Sequence, residues 1–167
     1  IEPDEPHYYE QFAACCRLAK AIKVVTITVR ASELGTPFNA EIERLRKMVA
    51  LAAAEGVRLG LLTEVGRMTE DPGTAEVICN NTKGLGITLD PSHFIYGPPN
   101  RADYDQLIKL VYHVRLRDST KDELHVRIGQ GDVQYGRLIN YLQKAGYDRA
   151  LCVDLQPIPE VDTLTEM

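Results

Sequence analysis

Short apolar segments alternate with helical patterns along the whole chain. The apolar segments begin at residues 23, 57, 85, 113 and 150. The repeat is therefore roughly 30 residues, the length of one βα unit. Alternation of this kind predicts an α/β fold with a parallel sheet and right-handed crossovers. A complete eight-unit barrel needs about 250 residues, so five units in 167 residues predict either an open sheet or five-eighths of a barrel.

Periodicity and turn residues place the individual elements. The first apolar segment, KVVTITVR, is a continuous β-branched run of the kind buried in parallel sheets. Thr36 is expected to cap the second helix, with Pro37 in the first turn and the helix ending near Gly56. The other predicted helices lie at about residues 8–21, 74–81, 104–111 and 133–145.

Composition narrows the class of protein. The chain is 44% hydrophobic, enough for one domain with a core, and its net charge of −5 creates no global attraction for nucleic acid or acidic membranes. No apolar run approaches the ~20 residues that a membrane span requires, and the acidic N-terminus is unlike a secretory signal. The four cysteines lack zinc-site spacing and are expected to be buried thiols. A cytoplasmic protein is therefore expected.

Several of the predicted strands end in a carboxylate. Glu64, Asp90, Asp118 and Asp154 each close an apolar segment. Parallel α/β sheets gather the carboxyl ends of their strands on one face, where the chemistry of such proteins lies. Convergence of these side chains predicts a divalent-metal or acid/base site for a small polar substrate.

The segment DPSH is the sharpest local pattern. Asp90 closes a strand and His93 follows three residues later, so both can reach a shared centre from a tight turn. Oxygen and imidazole donors together suit Mn, Zn, Fe or Co better than calcium. The alternative is that Asp90 and Pro91 only form a turn while His93 packs on Phe94.

A long polar segment at residues 115–132 is the next candidate. It carries cations and imidazoles together with a Gly-Gln-Gly turn, and such loops at strand ends often contact substrate. Arg115, Lys121 and their neighbours are expected to bind a phosphate, carboxylate or enediolate oxygen. The alternative for Lys121 is a solvated loop tip.

Four segments carry a family resemblance: LLTEVG, LDPSHF, HVRLRDS and HVRIGQGDVQYGRLINYLQKAGYDRALCVDL. Over roughly residues 8–156 the chain resembles the xylose-isomerase-like barrel superfamily, which contains sugar isomerases and epimerases, inosose dehydratases and endonuclease IV. The resemblance implies a partial TIM barrel corresponding to about strands 4–8. Residues 1–167 would then be a single domain lacking the first three βα units. Its exposed sheet edges would need a missing N-terminal half or a homo-oligomer to cover them.

The resemblance also implies site residues. Glu64, Asp90 and Asp154 would bind a divalent metal (Mn, Mg, Co or Zn), and Glu64 and Asp154 would alternate as base and acid. Substrate contacts would come from His93, Arg115, Lys121 and His125. Two departures matter, because Arg115 stands where the family has a metal-binding His and Asp154 replaces the usual Glu.

The function expected from these residues is that of a sugar or sugar-phosphate isomerase or epimerase acting on a small sugar or polyol. One alternative is an endonuclease-IV-like phosphodiesterase, which the charge of −5 disfavours. The other is a non-catalytic sugar-binding relative in which Arg115 has replaced the metal.

Overall fold

A computed structural model of the protein describes residues 6–97 and 103–154. These residues form one sheet of five parallel strands in the order β1-β2-β3-β4-β5, curled into a half-barrel with helices packed on it. The strands are β1 (Thr26–Arg30), β2 (Arg58–Leu62), β3 (Leu85–Leu89), β4 (Val111–Leu116) and β5 (Leu151–Val153). The curl confirms the α/β partial TIM barrel and rules out the flat open sheet.

Helices connect the strands, as the periodicity predicts. The α-helices are α1 (Tyr8–Ala21), α2 (Phe38–Ala54), α3 (Pro72–Asn81), α4 (Ser92–Ile95) and α5 (Tyr135–Lys144). The helix predicted at about 104–111 is a 3₁₀ helix, Asp105–Leu110, and a shorter one spans Met68–Glu70.

The helix N-termini differ in whether a side chain caps them. Asp71 caps α3, because its side chain accepts a hydrogen bond from the Thr74 backbone N–H at 2.7 Å. The prediction that Thr36 caps α2 is wrong: the capping position is Pro37, and no side chain caps that end. Gly56 ends the α2 turn with a φ of +71°, a conformation that favours glycine.

Burial falls from the centre of the sheet to its edges. Strand β3 is buried throughout, whereas β1 is only half-buried and β5 is exposed. The prediction that KVVTITVR is buried is therefore wrong: Val25 is 61% exposed. The reason is that β1 and β5 each pair with one strand among the described residues, so that one side of each has no neighbour there.

Two of the cysteines contradict the prediction of buried thiols. Cys16 and Cys79 are buried, but Cys15 and Cys152 are exposed. Helix α1 buries Tyr8, Phe12, Cys16 and Ala19, whereas Cys15, at the margin of this face, is exposed. Cys152 is exposed because it lies in the edge strand β5.

A buried ion pair supports the loop after β1. Glu41 is fully buried in α2 and accepts hydrogen bonds from Ser32 Oγ at 2.6 Å and from the Ser32 backbone N–H at 3.1 Å. Arg44 Nε donates to Glu41 at 2.7 Å, and its Nη2 donates to the Arg30 backbone carbonyl at 3.0 Å. This network therefore supports the carboxyl end of β1, the strand that contributes Arg30 to the cavity at the strand ends.

No helix among the described residues is long and apolar enough to cross a membrane.

Candidate active site

A cavity of about 510 Å³ opens at the carboxyl ends of the parallel strands. Strands β1 to β4 and the loops that follow them contribute the side chains around it. The lining residues are Thr28, Arg30, Leu62, Glu64, Val65, His93, Arg115, Arg117, Leu124 and His125. Of the residues predicted to form a site, Glu64, His93, Arg115 and His125 thus meet in one cavity.

Glu64 lies two residues beyond β2 and pairs with the end of β1. Arg30 Nε and Nη2 donate to the two carboxylate oxygens of Glu64 at 2.8 and 2.7 Å, a bidentate arrangement. Burial alone would raise the pKa of Glu64, but the hydrogen bonds and charge of Arg30 outweigh it and hold that pKa below its usual value. The carboxylate is therefore ionised and oriented.

Asp90 lies behind the cavity wall at the end of β3 and is fully buried. Its Oδ1 accepts hydrogen bonds from Ser92 Oγ at 2.6 Å and from the Ser92 backbone N–H at 3.2 Å. Its Oδ2 has no hydrogen-bond partner among the described residues. Burial raises the pKa of Asp90, opposed by the Ser92 hydrogen bonds and the Arg117 charge. A buried carboxylate oxygen without a hydrogen bond is costly unless a cation or donor satisfies it.

His93 is a buried imidazole held by the backbone. It is 4% exposed, and its Nδ1 accepts a hydrogen bond from the Val65 backbone N–H at 3.3 Å. Burial lowers the pKa of His93 to about 4, so the ring is neutral at physiological pH. Its ring meets that of His125 edge-to-face, with centroids 5.4 Å apart.

His125 adopts a strained backbone conformation in the loop after β4. Its φ is +65°, a left-handed conformation that is uncommon for residues other than glycine. The His125 backbone N–H donates to Ser119 Oγ at 3.0 Å, and burial lowers the pKa of its imidazole. Strain of this kind persists where surrounding contacts over-determine it and is common at functional sites.

Asp90, His93 and His125 can together hold a metal ion. One potential ligand atom from each lies within 4.8 Å of the other two. Neutral imidazoles and a carboxylate oxygen without a hydrogen bond form a donor set that fits Mn, Co or Zn. This set shares only Asp90 with the predicted ligands. Glu64 and Asp154 are paired with arginines. Metal binding by Glu64 and Asp154 stays a prediction.

Arg117 belongs to the long polar segment but was not among the predicted site residues, and it connects these groups. Its Nη2 lies 2.7 Å from Asp154 Oδ2 and its Nη1 lies 2.9 Å from His125 Nε2. Its Nε donates to the Asp154 backbone carbonyl at 3.0 Å and lies 3.7 Å from Asp90 Oδ2. The sequence signal for Arg117 was its place directly after β4, at a strand end like the carboxylates.

Asp154 lies at the end of β5 and is held by arginines. Besides Arg117, Arg115 Nη1 lies 3.2 Å from Asp154 Oδ2. The Asp154 side chain is 29% exposed and is not among the cavity-lining residues. Lys121 is exposed at the loop tip and does not line the cavity either, although its backbone carbonyl accepts from the Gly97 N–H at 2.9 Å.

Asp118 is a strand-end carboxylate with a structural role. It is buried and accepts hydrogen bonds from the backbone N–H groups of Ser119, Gly129, Gly131 and Val133, at 2.8–3.2 Å. Its contact with Gly131 leaves no space for a Cβ there. Asp118 therefore shapes the loop that carries His125.

Comparison with solved structures shows what the chain resembles. A D-tagatose 3-epimerase-like protein superposes with a TM-score of 0.72 at 20% identity, covering 87% of this chain and 61% of that one. A xylose isomerase-like TIM barrel protein from Mycobacterium smegmatis, solved with magnesium, gives a TM-score of 0.76 at 12% identity, covering 90% and 60%. An L-ribulose 3-epimerase superposes with a TM-score of 0.71 at 16% identity, covering 93% of this chain and 56% of that one.

Identities this low show a shared fold and nothing finer. The chain spans 56% to 61% of the length of these three structures. That residues 1–167 form a single domain lacking the first three βα units stays a prediction. No curated protein sequence matches the chain significantly. The model of the xylose isomerase-like TIM barrel family, in contrast, matches residues 2–165. Because this match covers almost the entire chain and the fold agrees, the protein belongs to the xylose isomerase-like TIM barrel family.

Proposed function

We propose that this protein is a sugar or sugar-phosphate isomerase or epimerase that acts on a small sugar or polyol. The observation that carries the proposal is the cavity at the carboxyl ends of the strands, where an ionised Glu64 faces imidazoles and guanidinium groups. Its volume of about 510 Å³ suits a small ligand. The epimerases among the similar structures support the same class of reaction.

Glu64 is the proposed base that removes a proton from a carbon next to a carbonyl group. Its bidentate pairing with Arg30 keeps it ionised but also makes it a weak base. A substrate oxygen that takes over the Arg30 N–H groups would raise the Glu64 pKa and strengthen it as a base. Arg30 is thus proposed to couple substrate binding to base strength.

Asp154 is the proposed acid: after taking up a proton from water, it donates that proton to the carbon, and Glu64 releases the proton it removed to solvent. Arg117 and Arg115 orient its carboxylate from the end of β4. His93, Arg115 and His125 are proposed to contact the substrate, since all three line the cavity. That Lys121 binds an anionic group of the substrate, one that extends toward the loop tip, stays a prediction.

A divalent metal is part of the proposal. The fit rests on the Asp90 oxygen without a hydrogen bond and on two neutral imidazoles within reach, so Asp90, His93 and His125 would hold the ion. When bound, such an ion supplies positive charge that stabilises the oxygen beside the carbon losing its proton. Imidazole donors favour Mn, Co or Zn over Mg.

Solvent-exchange measurements test the function. Ketoses, aldoses and inososes are incubated with the protein in D₂O with Mn or Co, and deuterium at the carbon next to the carbonyl is measured by NMR. We expect exchange with at least one sugar. Glu64→Gln should abolish it, and Glu43→Gln, an exposed glutamate in α2, should leave it unchanged. Absence of exchange with every sugar, in a folded metal-loaded protein, would contradict the proposal.

A non-catalytic sugar-binding protein is the second candidate. The observation that favours it is that both proposed catalytic carboxylates are paired with arginines. This candidate predicts sugar binding that a chelator leaves unchanged and no deuterium exchange. Titration calorimetry of the same sugars, with and without EDTA, separates it from the enzyme.

An endonuclease-IV-like activity is disfavoured by the charge of −5, and failure to nick an abasic oligonucleotide would exclude it.

A further inference from the structure

The candidate metal ligands share their space with a cation that belongs to the chain. The Arg117 guanidinium contacts His125 Nε2 at 2.9 Å and lies 3.7 Å from Asp90 Oδ2, the oxygen that has no hydrogen-bond partner among the described residues. His93 Nε2 lies 3.8 Å from the same oxygen. Two of the three triad residues, Asp90 and His125, are thus already close to the Arg117 guanidinium.

Arg117 is held in this position by more than the triad. Its Nη2 contacts Asp154 Oδ2 at 2.7 Å, and its Nε donates to the Asp154 backbone carbonyl at 3.0 Å. Its side chain is 9% exposed, so little water screens its charge. A guanidinium is always protonated and cannot act as a ligand.

From this geometry we infer that Arg117 competes with a divalent metal for the Asp90–His93–His125 triad. A bound metal and the guanidinium cannot occupy this space together, because two cations a few ångströms apart in a buried site repel strongly. Metal binding therefore requires Arg117 to withdraw from His125 and Asp90, and Arg117 sets the metal affinity of the site. The inference rests on the metal part of the proposed function and does not depend on the reaction.

The test measures Mn²⁺ affinity of the purified protein by isothermal titration calorimetry and by the EPR signal of free Mn²⁺. Arg117→Gln removes the charge and keeps a side chain of similar polarity. We expect it to bind Mn²⁺ at least about tenfold more tightly than the unchanged protein, given the strength of buried charge repulsion. Adding His125→Ala to Arg117→Gln should abolish this gain, because a ligand of the triad is lost.

Arg115→Gln is the matched control. It also removes one guanidinium beside Asp154 within the same cavity. Among the described residues, however, no hydrogen bond or ion pair joins Arg115 to the triad, and only its charge acts on His93. We expect it to change Mn²⁺ affinity by less than about threefold, since Arg115 is half-buried and solvent screens part of its charge. An equal gain in Arg115→Gln would mean that general charge sets the affinity, and it would overturn the inference.

Two further results would also overturn it: unchanged Mn²⁺ affinity in a folded Arg117→Gln variant, or a gain that survives His125→Ala. If Arg117→Gln does not fold, Arg117→Lys is used, because its compact ammonium cannot reach Asp154 and His125 together. It should still tighten Mn²⁺ binding, and no tightening would count against the inference. These readouts do not use sugar exchange, so failure here is distinct from failure of the proposed reaction.

Discussion

Arg117 Nη2 lies 2.7 Å from Asp154 Oδ2, and the Nε–H of the same guanidinium donates to the Asp154 backbone carbonyl at 3.0 Å. The two residues follow β4 and β5 directly, so this double contact joins the carboxyl ends of neighbouring strands. It fixes a buried cation at the point where a barrel of this kind is expected to do its chemistry. The proposed reaction and the inferred metal affinity therefore both involve this guanidinium.

The buried His93 should make stability depend on pH. Its folded-state pKa is about 4, against an ordinary value of 6.5, because burial disfavours the charged ring. The unfolded chain therefore takes up a proton as pH falls through 6.5 while the folded protein does not. We expect His93 to contribute stability that is complete above pH 6.5 and lost progressively toward pH 4, by up to about 3 kcal/mol.

Urea unfolding at a series of pH values measures this dependence. His93→Gln removes the titrating group and should flatten the slope across that range, although His113 and His125, whose pKa values are also lowered, leave a smaller slope. His7→Gln, at an exposed position, is the control and should keep the slope of the unchanged protein. Equal slopes in the His93→Gln variant and the unchanged protein would refute this account.

Asp118→Asn should loosen the loop that carries His125. The two carboxylate oxygens accept backbone N–H groups from Ser119 and Val133 on one side and from Gly129 and Gly131 on the other. In either orientation of the new asparagine amide, its NH₂ group would face backbone N–H donors that need an acceptor. We expect a loss of about 3 kcal/mol in unfolding free energy, since buried donors lose their acceptor.

Limited proteolysis followed by mass spectrometry shows whether the Asp118→Asn loop opens. New cleavage within residues 119–133 is expected before the rest of the domain is cut. Asp122→Asn, at the exposed loop tip, should leave both stability and cleavage unchanged. A resistant loop in Asp118→Asn would show that other contacts hold His125.

Glu41→Gln should strongly destabilise the fold. Glu41 is fully buried and pairs with Arg44, whose side chain is 11% exposed. Removing the carboxylate charge leaves the buried guanidinium without its ion-pair partner, which costs about 3–5 kcal/mol. Burial alone would raise the pKa of Glu41, but the hydrogen bonds from Arg44 and Ser32 lower it, so the carboxylate is ionised. Chemical denaturation measures the loss, and Glu43→Gln on the exposed side of α2 should change it by less than about 0.5 kcal/mol.

A pair of glycine substitutions separates close packing in the sheet from backbone entropy. A Cβ on Gly86 in β3 would meet the ring of Tyr112 in β4, so Gly86→Ala should cost about 1–3 kcal/mol. Gly136 in α5 has open space around it, and Gly136→Ala should stabilise by up to about 1 kcal/mol. Thermal melts measure both. If Gly86→Ala is neutral, the Tyr112 ring is free to move away.

The fold was predictable because its signals are local. A strand or helix is encoded by the spacing of apolar residues within a dozen positions, and the 30-residue repeat predicts the parallel order. The burial of KVVTITVR was predicted wrongly, because the same β-branched run can be buried in the centre of a sheet or exposed at its edge. Val25 is exposed because β1 has one strand neighbour among the described residues, which its own sequence does not encode.

The candidate site, too, could be predicted from the sequence only in part. The sequence alone determined that carboxylates and a histidine close successive strands, and the parallel sheet then brings Glu64, Asp90 and His93 to one end. Only the tertiary structure decided their partners. Arg30 and Glu64 are 34 positions apart, and Arg117 and Asp154 are 37 apart. Such pairs depend on strand register and on the loop shaped by Asp118, because a hydrogen bond requires positions accurate to a few tenths of an ångström.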